Sequence, residues 1–292
     1  MDINYELYKV FYHVANTLSF SEASKQLFIS QSAVSQSIKV LEKKLNQPLF
    51  IRSTKRVQLT PEGEILLKHI EPAMNLIKQG ENQLLEANTL NGGQLRIGAS
   101  DTICRYYLIP YLKEFHRKYP NVHIKVTNQT SIACAKLLES GQVDFAITNY
   151  PNSGLSNTQN VRIIHEFHDV FAANDEYGSL RGKTVTLKEL QTCPILMLDR
   201  KSTTSEFLHS MFQRHQLDLV PEIELTSNDL LIDLARIGLG IAFIPNFCLS
   251  EQTCDLFAVQ TEEELPEREL VIAYNEQVLT SKAAKEFLSF FD

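Results

Sequence analysis

Residues 19–60 read SFSEASKQLFISQSAVSQSIKVLEKKLNQPLFIRSTKRVQLT, and the reading of this stretch decides the fold. Glu22–Leu27 carries a short apolar pattern and is followed by Phe28-Ile29. Ser30 then has the hydroxyl of an N-cap, able to accept from an unpaired NH of the next helix. From Gln31 the apolar positions Val34, Ile38, Leu41 and Leu45 recur at spacings of four, three and four. That spacing lays one apolar stripe along a helix. Two helices joined by a short turn make a helix-turn-helix unit.

The face opposite the stripe points to a partner. Its first turns carry Gln31, Ser32, Ser35 and Gln36, which are uncharged, and Lys39, Lys43 and Lys44 follow. Gln pairs bidentately with adenine and Ser with several bases, so these four are expected to read base edges in the major groove. An ordinary polar solvent face is the alternative, and the next residues argue against it. Asn46-Gln47 signals a turn, because Asn tolerates the left-handed conformation that ends a helix. Two extended runs, 49–52 and 57–60, then flank Ser53-Thr54-Lys55-Arg56, a hairpin with a basic tip. From Ser32 to Arg56 the basic residues are Lys39, Lys43, Lys44, Arg52, Lys55 and Arg56, against the single acid Glu42. Such a winged helix suits double-stranded DNA, with Lys39, Arg52, Lys55 and Arg56 on the phosphate backbone.

The ordered set Phe20, Ala23, Leu27, Ser30-Gln31-Ser32-Ala33-Val34-Ser35, Ile38, Leu41-Glu42, Leu45, Leu49-Phe50, Arg52 and Leu59-Thr60-Pro61 followed by Glu62-Gly63 resembles the N-terminal domain of LysR-type transcriptional regulators. Ser24 stands where a second alanine is usual, and Asn46 where glycine is usual. Further along, LRIGAS, LIPYLKEFHRKYPNV, LLESGQVDFAI and IGLGIAFIP are similar to phrases of that family's effector domain. The resemblance implies a periplasmic-binding-protein-like effector domain of two α/β lobes and two crossovers, with a small-molecule effector between them. It also implies paired half-sites on promoter DNA, and a second contact between effector domains that makes tetramers of dimers.

The 292 residues exceed the usual size of one domain, and the 43% hydrophobic content supplies real cores. Charge is uneven: residues 1–91 carry ten Lys/Arg and nine Asp/Glu, net +1, and the remainder carries 18 and 26, net −8. An acidic chain is a poor nonspecific binder of nucleic acid, which leaves DNA contact to the local basic patch. The five cysteines, Cys104, Cys134, Cys193, Cys248 and Cys254, form no CxxC pair. Their number and spacing favour reduced thiols in a cytoplasmic protein. The first residues show no signal-peptide pattern, and no apolar run is long enough to span a bilayer.

Three segments are expected: a winged helix-turn-helix over 1–60, a linker and dimerisation helix over 61–91, and an effector domain over 92–292. The two lobes of the last are taken as 92–165 with 267–292, and 166–266. The fold class is therefore α/β with an all-α-rich N-terminal winged helix-turn-helix. Thr60-Pro61-Glu62 starts the linker helix. Within it Leu66, Ile70, Ile77 and Leu84 fall on a four-three spacing interrupted at Gly80, which predicts a homodimer seam. Packing on its own domain is the competing reading. Beyond the Gly92-Gly93 hinge, strands alternate with helices, among them one over 103–119, and this predicts parallel βαβ sheets. The stretch 150–193 is hard to read.

No GxSxG, Walker loop or HExxH is present, so no enzyme activity, cofactor or metal is expected. Gly238-Leu239-Gly240 reads as close packing, and His165 with His168 makes a poor metal site. Hydroxyls and amides instead gather at strand ends, where open parallel sheets bind ligands. Ser100, Thr102, Gln129, Ser131, Asn149, Thr203 and Asn228 are the candidate effector residues, with Lys201 adding charge. Several also sit at helix N-termini, which favour an anion, so a small anionic effector is expected. The competing functions are a thiol-sensing or ligand-independent regulator of the same architecture, and a small-molecule carrier.

Overall fold

The computed structural model describes residues 3–52, 56–86, 93–156, 159–249, 255–275 and 281–291, without the side chains of residues 52, 82, 83, 85 and 86. The chain divides into two compact units. One holds residues 1–87 with 139–142, and the other holds the remainder.

In the N-terminal unit, helices α1 (Tyr5–Thr17), α2 (Phe20–Leu27) and α3 (Gln31–Leu45) are each started by a capping side chain. The oxygens of Asn4, Ser19 and Ser30 accept from the amides of Glu6, Glu22 and Ala33. Each helix ends in a left-handed residue: Leu18, Phe28 and Asn46. Asn carries that conformation at little cost, whereas Leu and Phe adopt it against their preference. Val10, Phe11 and Val14 of α1 close on Ala23, Val34, Ile38 and Leu41, and Leu49 and Phe50 complete this core. Each such large side chain removed from water contributes about 1.5–3 kcal/mol.

The wing is a hairpin of β1 (Phe50–Arg52) and β2 (Val57–Leu59), with Phe50 opposite Leu59. Glu42, the lone acid of the basic stretch, accepts from the amides of Leu49 and Phe50 at 2.9 and 3.3 Å. Its carboxylate thereby pins the wing to α3. Helix α4 (Pro61–Glu86) begins at Thr60, whose hydroxyl accepts from the Gly63 amide at 2.9 Å. A Cβ at Gly63 would lie 2.3 Å from the Leu49 carbonyl oxygen, so only glycine lets α4 start against the wing.

Leu66 and Ile70 pack against the core of their own domain, because the first turns of α4 lie against it. Ile77 and Leu84 are exposed, together with Ile65 and Leu76.

The second unit contains two sheets. The first has the order β4 (His123–Asn128), β3 (Gln94–Ala99), β5 (Phe145–Tyr150), β13 (Arg268–Tyr274), β6 (Asn160–Phe167). The second runs β10 (Ile223–Leu225), β9 (Ile195–Leu198), β11 (Ile241–Pro245), β7 (Asp169–Ala173), β12 (Phe257–Thr261), β8 (Thr184–Val185). The chain passes between the lobes twice, from β6 to β7 and from β12 to β13.

The sheets are mixed and not parallel throughout, which corrects the sequence-based expectation. β3 pairs parallel with β4 and β5, but β13 runs antiparallel to both β5 and β6. β7 is antiparallel to β11 and β12. The odd strands are those adjoining the crossovers, where a chain arriving from the other lobe enters its sheet from the opposite end. The stretch 150–193 contains β6, β7, β8 and the short helix α8 (Leu187–Leu190). The expected helix over 103–119 begins earlier, as α5 (Asp101–Ile103), a π turn (Cys104–Leu108) and α6 (Ile109–Lys118). Gly240 permits close packing: a Cβ there would come within 2.4 Å of the Pro194 carbonyl oxygen.

Candidate functional site

On the N-terminal unit, α3 turns Val34, Ile38 and Leu41 inward and leaves Gln31, Ser32, Gln36 and Lys39 exposed, with Ser35 half-buried. The Ser30 cap also bonds Ser32, Oγ to Oγ at 2.9 Å, which orders the first turn. Arg56 is exposed on the tip side of the wing, next to the last strand pair Arg52–Val57. The side chain of Arg52 and the whole of Lys55 lie outside the described residues. Phe28, next to the start of α3, is 95% exposed, and the sequence reading passed over it.

In the second unit, α7 (Ser131–Glu139), α9 (Thr203–Arg214) and α10 (Asn228–Arg236) follow β4, β9 and β10. With α5 they bring their N-termini around one cavity of about 510 Å³. Ser100, Thr102, Gln129, Ser131 and Asn149 line it from one lobe, Thr203 and Asn228 from the other. The cavity thus gathers all seven residues singled out in the sequence. Lys201 is exposed and is not among the lining residues; it stands on the turn before α9, so its charge goes to solvent.

The hydrogen bonds show how the lining is held. Ser100 and Ser202 are N-caps, accepting from the amides of Ile103 and Ser205. The Ser131 hydroxyl accepts from the Asn149 amide at 3.2 Å. Asn228 Nδ2 donates to Thr102 Oγ1 across the lobes at 2.8 Å. Nearby, the Tyr106 hydroxyl donates to Asp229 at 2.8 Å, and Arg105 bonds the same carboxylate at 2.9 Å. Burial, then the bond to Asp229, holds the Tyr106 hydroxyl's pKa above the ordinary tyrosine value.

Sequence reasoning missed Arg268, which is 2% exposed. It opens β13, and its guanidinium pairs with Asp169, the first residue of β7. The pair joins one crossover to the other. Arg268 also donates to Thr203 and Thr204, each at 3.2 Å, and lies over the rings of Phe167 and Phe207 at 5.4 and 5.0 Å. Burial pushes the Asp169 carboxyl up while Arg268 pulls it down. Burial is the larger effect and leaves that carboxyl above its ordinary value, while the guanidinium, which keeps its proton in proteins, remains its charged donor. A charged residue at a strand start signals nothing in sequence, because its partner stands 99 residues away.

Among the described residues no His, Cys, Asp or Glu cluster could hold a metal ion. His165 instead faces the rings of Tyr107 and Phe247. The four described cysteines are free; Cys254 lies outside the described residues. Burial pushes Cys104 to about 11 and Cys134 to about 12, and moves Cys193 and Cys248 upward as well. A raised thiol pKa disfavours the thiolate, the form that reacts with oxidants. No helix of the described residues is long and apolar enough to cross a membrane.

Comparison with known proteins addresses both regions. Residues 5–64 match the family described as "Bacterial regulatory helix-turn-helix protein, lysR family", and residues 88–292 match "LysR substrate binding domain". A probable RuBisCO transcriptional regulator of Trichormus variabilis is 29% identical over 276 residues, covering 92% of this chain and 82% of that one. The HTH-type transcriptional activator CmpR of Synechocystis is 26% identical, over 97% of this chain and 93% of its own. Among solved structures, a full-length OxyR variant from Pseudomonas aeruginosa aligns with TM-score 0.72 at 17% identity, over 99% of this chain and 94% of that one. Full-length CbnR, solved with its target DNA, aligns with TM-score 0.65 at 16% identity, over 99% of each chain. At these identities the two structures speak for the fold.

Proposed function

Because this chain belongs to the LysR family of DNA-binding transcriptional regulators, we propose that it is a cytoplasmic homodimer, or a tetramer of two dimers, acting at paired promoter half-sites. A small anionic molecule in the interlobe cavity sets how it binds or activates there. The protein acts by binding and not by catalysis. One observation carries the reading. A cavity of about 510 Å³, lined by hydroxyls and amides of both lobes, occurs in the same chain as an exposed, uncharged helix face beside a wing. Cavities of this size suit small ligands.

Gln31, Ser32, Ser35 and Gln36 read bases, and Lys39, Arg52, Lys55 and Arg56 hold the backbone. A molecule touching Thr102 and Thr203 at once draws the lobes together. The test is fluorescence anisotropy on DNA from the chain's own upstream region, with and without a panel of small acids. A panel member should change affinity or footprint through the wild type and fail through Thr203→Val. If every effect persists in that variant, the cavity is not the effector site.

The exposed apolar residues of α4 support a seam between two chains, now centred on Ile77 and Leu84. Ile77→Asp with Leu84→Asp should shift sedimentation from dimer to monomer while the far-ultraviolet spectrum stays native. Leu66→Asp with Ile70→Asp should instead unfold the N-terminal unit. An unchanged oligomer in the first pair refutes the seam.

A further inference from the structure

The turn between α2 and α3 carries a side chain that its own fold does not use. Phe28 ends α2 in the left-handed region, at φ 55° and ψ 36°. Two backbone bonds close the turn: the Phe28 amide donates to the Lys25 carbonyl at 3.2 Å, and the Ile29 amide donates to that of Ser24 at 3.1 Å. Neither bond involves a side chain, so glycine would make the same turn without the crowding that a Cβ brings to this conformation. The end of α3 has the same pair of bonds, from Asn46 and Gln47 to Lys43 and Glu42, and there the left-handed residue is the tolerant Asn.

The protein gives the Phe28 ring no packing in return. At 95% it is the most exposed large apolar residue among the described ones, and it lies outside the core formed by Val34, Ile38 and Leu41. Its neighbours Gln26, Ser30 and Gln31 are polar and exposed. With Ile29, 41% exposed, it makes a patch of two residues, too small for a protein interface.

Double-stranded DNA, which this family binds, fits such a ring. Phe28 stands three residues before Gln31, the first residue of α3, so their Cα atoms lie within about 11 Å at ~3.3–3.6 Å of chain per residue. The major groove of B-DNA is about 12 Å wide. A helix that sets its first turn on the base edges therefore carries Phe28 to the rim of the same groove. The main apolar feature displayed there is the thymine C5-methyl, and Phe is among the side chains that contact it.

We propose that Phe28 is a specificity-determining residue that packs on a thymine methyl in each half-site; the inference rests on the reading of α3 as the base-reading helix. Gln31, Ser32, Ser35 and Gln36 read donors and acceptors, and Phe28 adds an apolar reading of a base beside them. The turn gives up the easier conformation of glycine or asparagine to place that ring.

The test is fluorescence anisotropy of the full chain on the duplex it footprints in its own upstream region, with thymines replaced one at a time by deoxyuridine, which lacks only the methyl. For the wild type, one replacement in each half-site should weaken binding about fourfold, the worth of one methyl group removed from water. Phe28→Gly should weaken binding to the thymine duplex by at least as much and be indifferent to the replacement. Its melting point should stay level or rise, because the left-handed turn loses its Cβ. Three results overturn the proposal: wild-type binding indifferent to every replacement, a sensitivity that Phe28→Gly retains in full, or a melting point that Phe28→Gly lowers, which makes the ring structural. Gln31→Ala on the same duplexes separates the two readings. If it loses the preference for cognate over scrambled DNA while no methyl matters, the Phe28 assignment alone fails. If neither Gln31→Ala nor Phe28→Gly alters that preference, the reading of α3 as the base-reading helix fails with it.

Discussion

The outer face of α3 and the interlobe cavity are built from the same side chains, serine, threonine, asparagine and glutamine, yet they are used in opposite ways. On α3, Gln31 and Gln36 face solvent, where water satisfies them until another partner does, and exposed Ser32 shares a hydroxyl bond with Ser30. In the cavity, Thr102, Ser131 and Thr203 spend their acceptor capacity on the protein, and a buried ion pair stands behind them. An uncharged polar side chain is adaptable when exposed and directional when enclosed. The first property suits a surface that slides over many DNA sequences before settling on one; the second suits a pocket that discriminates between small molecules.

The largest break in this contrast should come from Arg268. Arg268→Met leaves Asp169 buried without its counter-charge, which costs about 3–5 kcal/mol. For a domain of this size that lowers the melting point by about 6–20 °C. Adding Asp169→Leu should recover most of the loss, since apolar replacement of a whole buried pair is near neutral or better. Calorimetry of the three variants decides it: a melting point unmoved by Arg268→Met would mean that the pair is not structural.

Next in size is the exchange of a hydroxyl for a methyl in each region. Thr102→Val strips Asn228 Nδ2 of its acceptor and should cost roughly 1–3 kcal/mol in urea unfolding. Ser32→Ala, an exposed change, should stay within about 0.5 kcal/mol. Equal costs would erase the distinction between the two sets.

The smallest effect on stability should coincide with the clearest effect on DNA. Gln31→Ala should leave unfolding within about 0.5 kcal/mol yet lose roughly 1–3 kcal/mol of discrimination at one base position. Lys39→Ala should instead weaken all sequences alike and flatten the salt slope by about one unit. Anisotropy on cognate and scrambled duplexes separates the two. Equal weakening of both duplexes by Gln31→Ala would remove α3's first turn from base reading.

The N-terminal unit was legible because its signals are local. Ser30 caps α3, Asn46 ends it, and Val34, Ile38 and Leu41 are buried, as their spacing requires. The seven cavity residues were legible for a related reason, since a hydroxyl or amide that starts a helix after a strand is visible as a local pattern. The four-three spacing of α4 was only half informative. It marks an apolar stripe without saying what covers it, and for Leu66 and Ile70 part of the cover is their own domain.

What the sequence determined by itself was the winged helix-turn-helix, the succession of strands and helices, and the hydroxyl-rich strand ends. Each depends on residues within a few turns of one another. Tertiary structure alone decided the direction of β7 and β13, the bond from Thr102 to Asn228 over 126 residues, and the pairing of Asp169 with Arg268. The physical reason lies in distance along the chain. Caps, periods and turns are paid for locally, whereas a buried charge or a directed hydroxyl is stable only once a partner from a remote segment is in place.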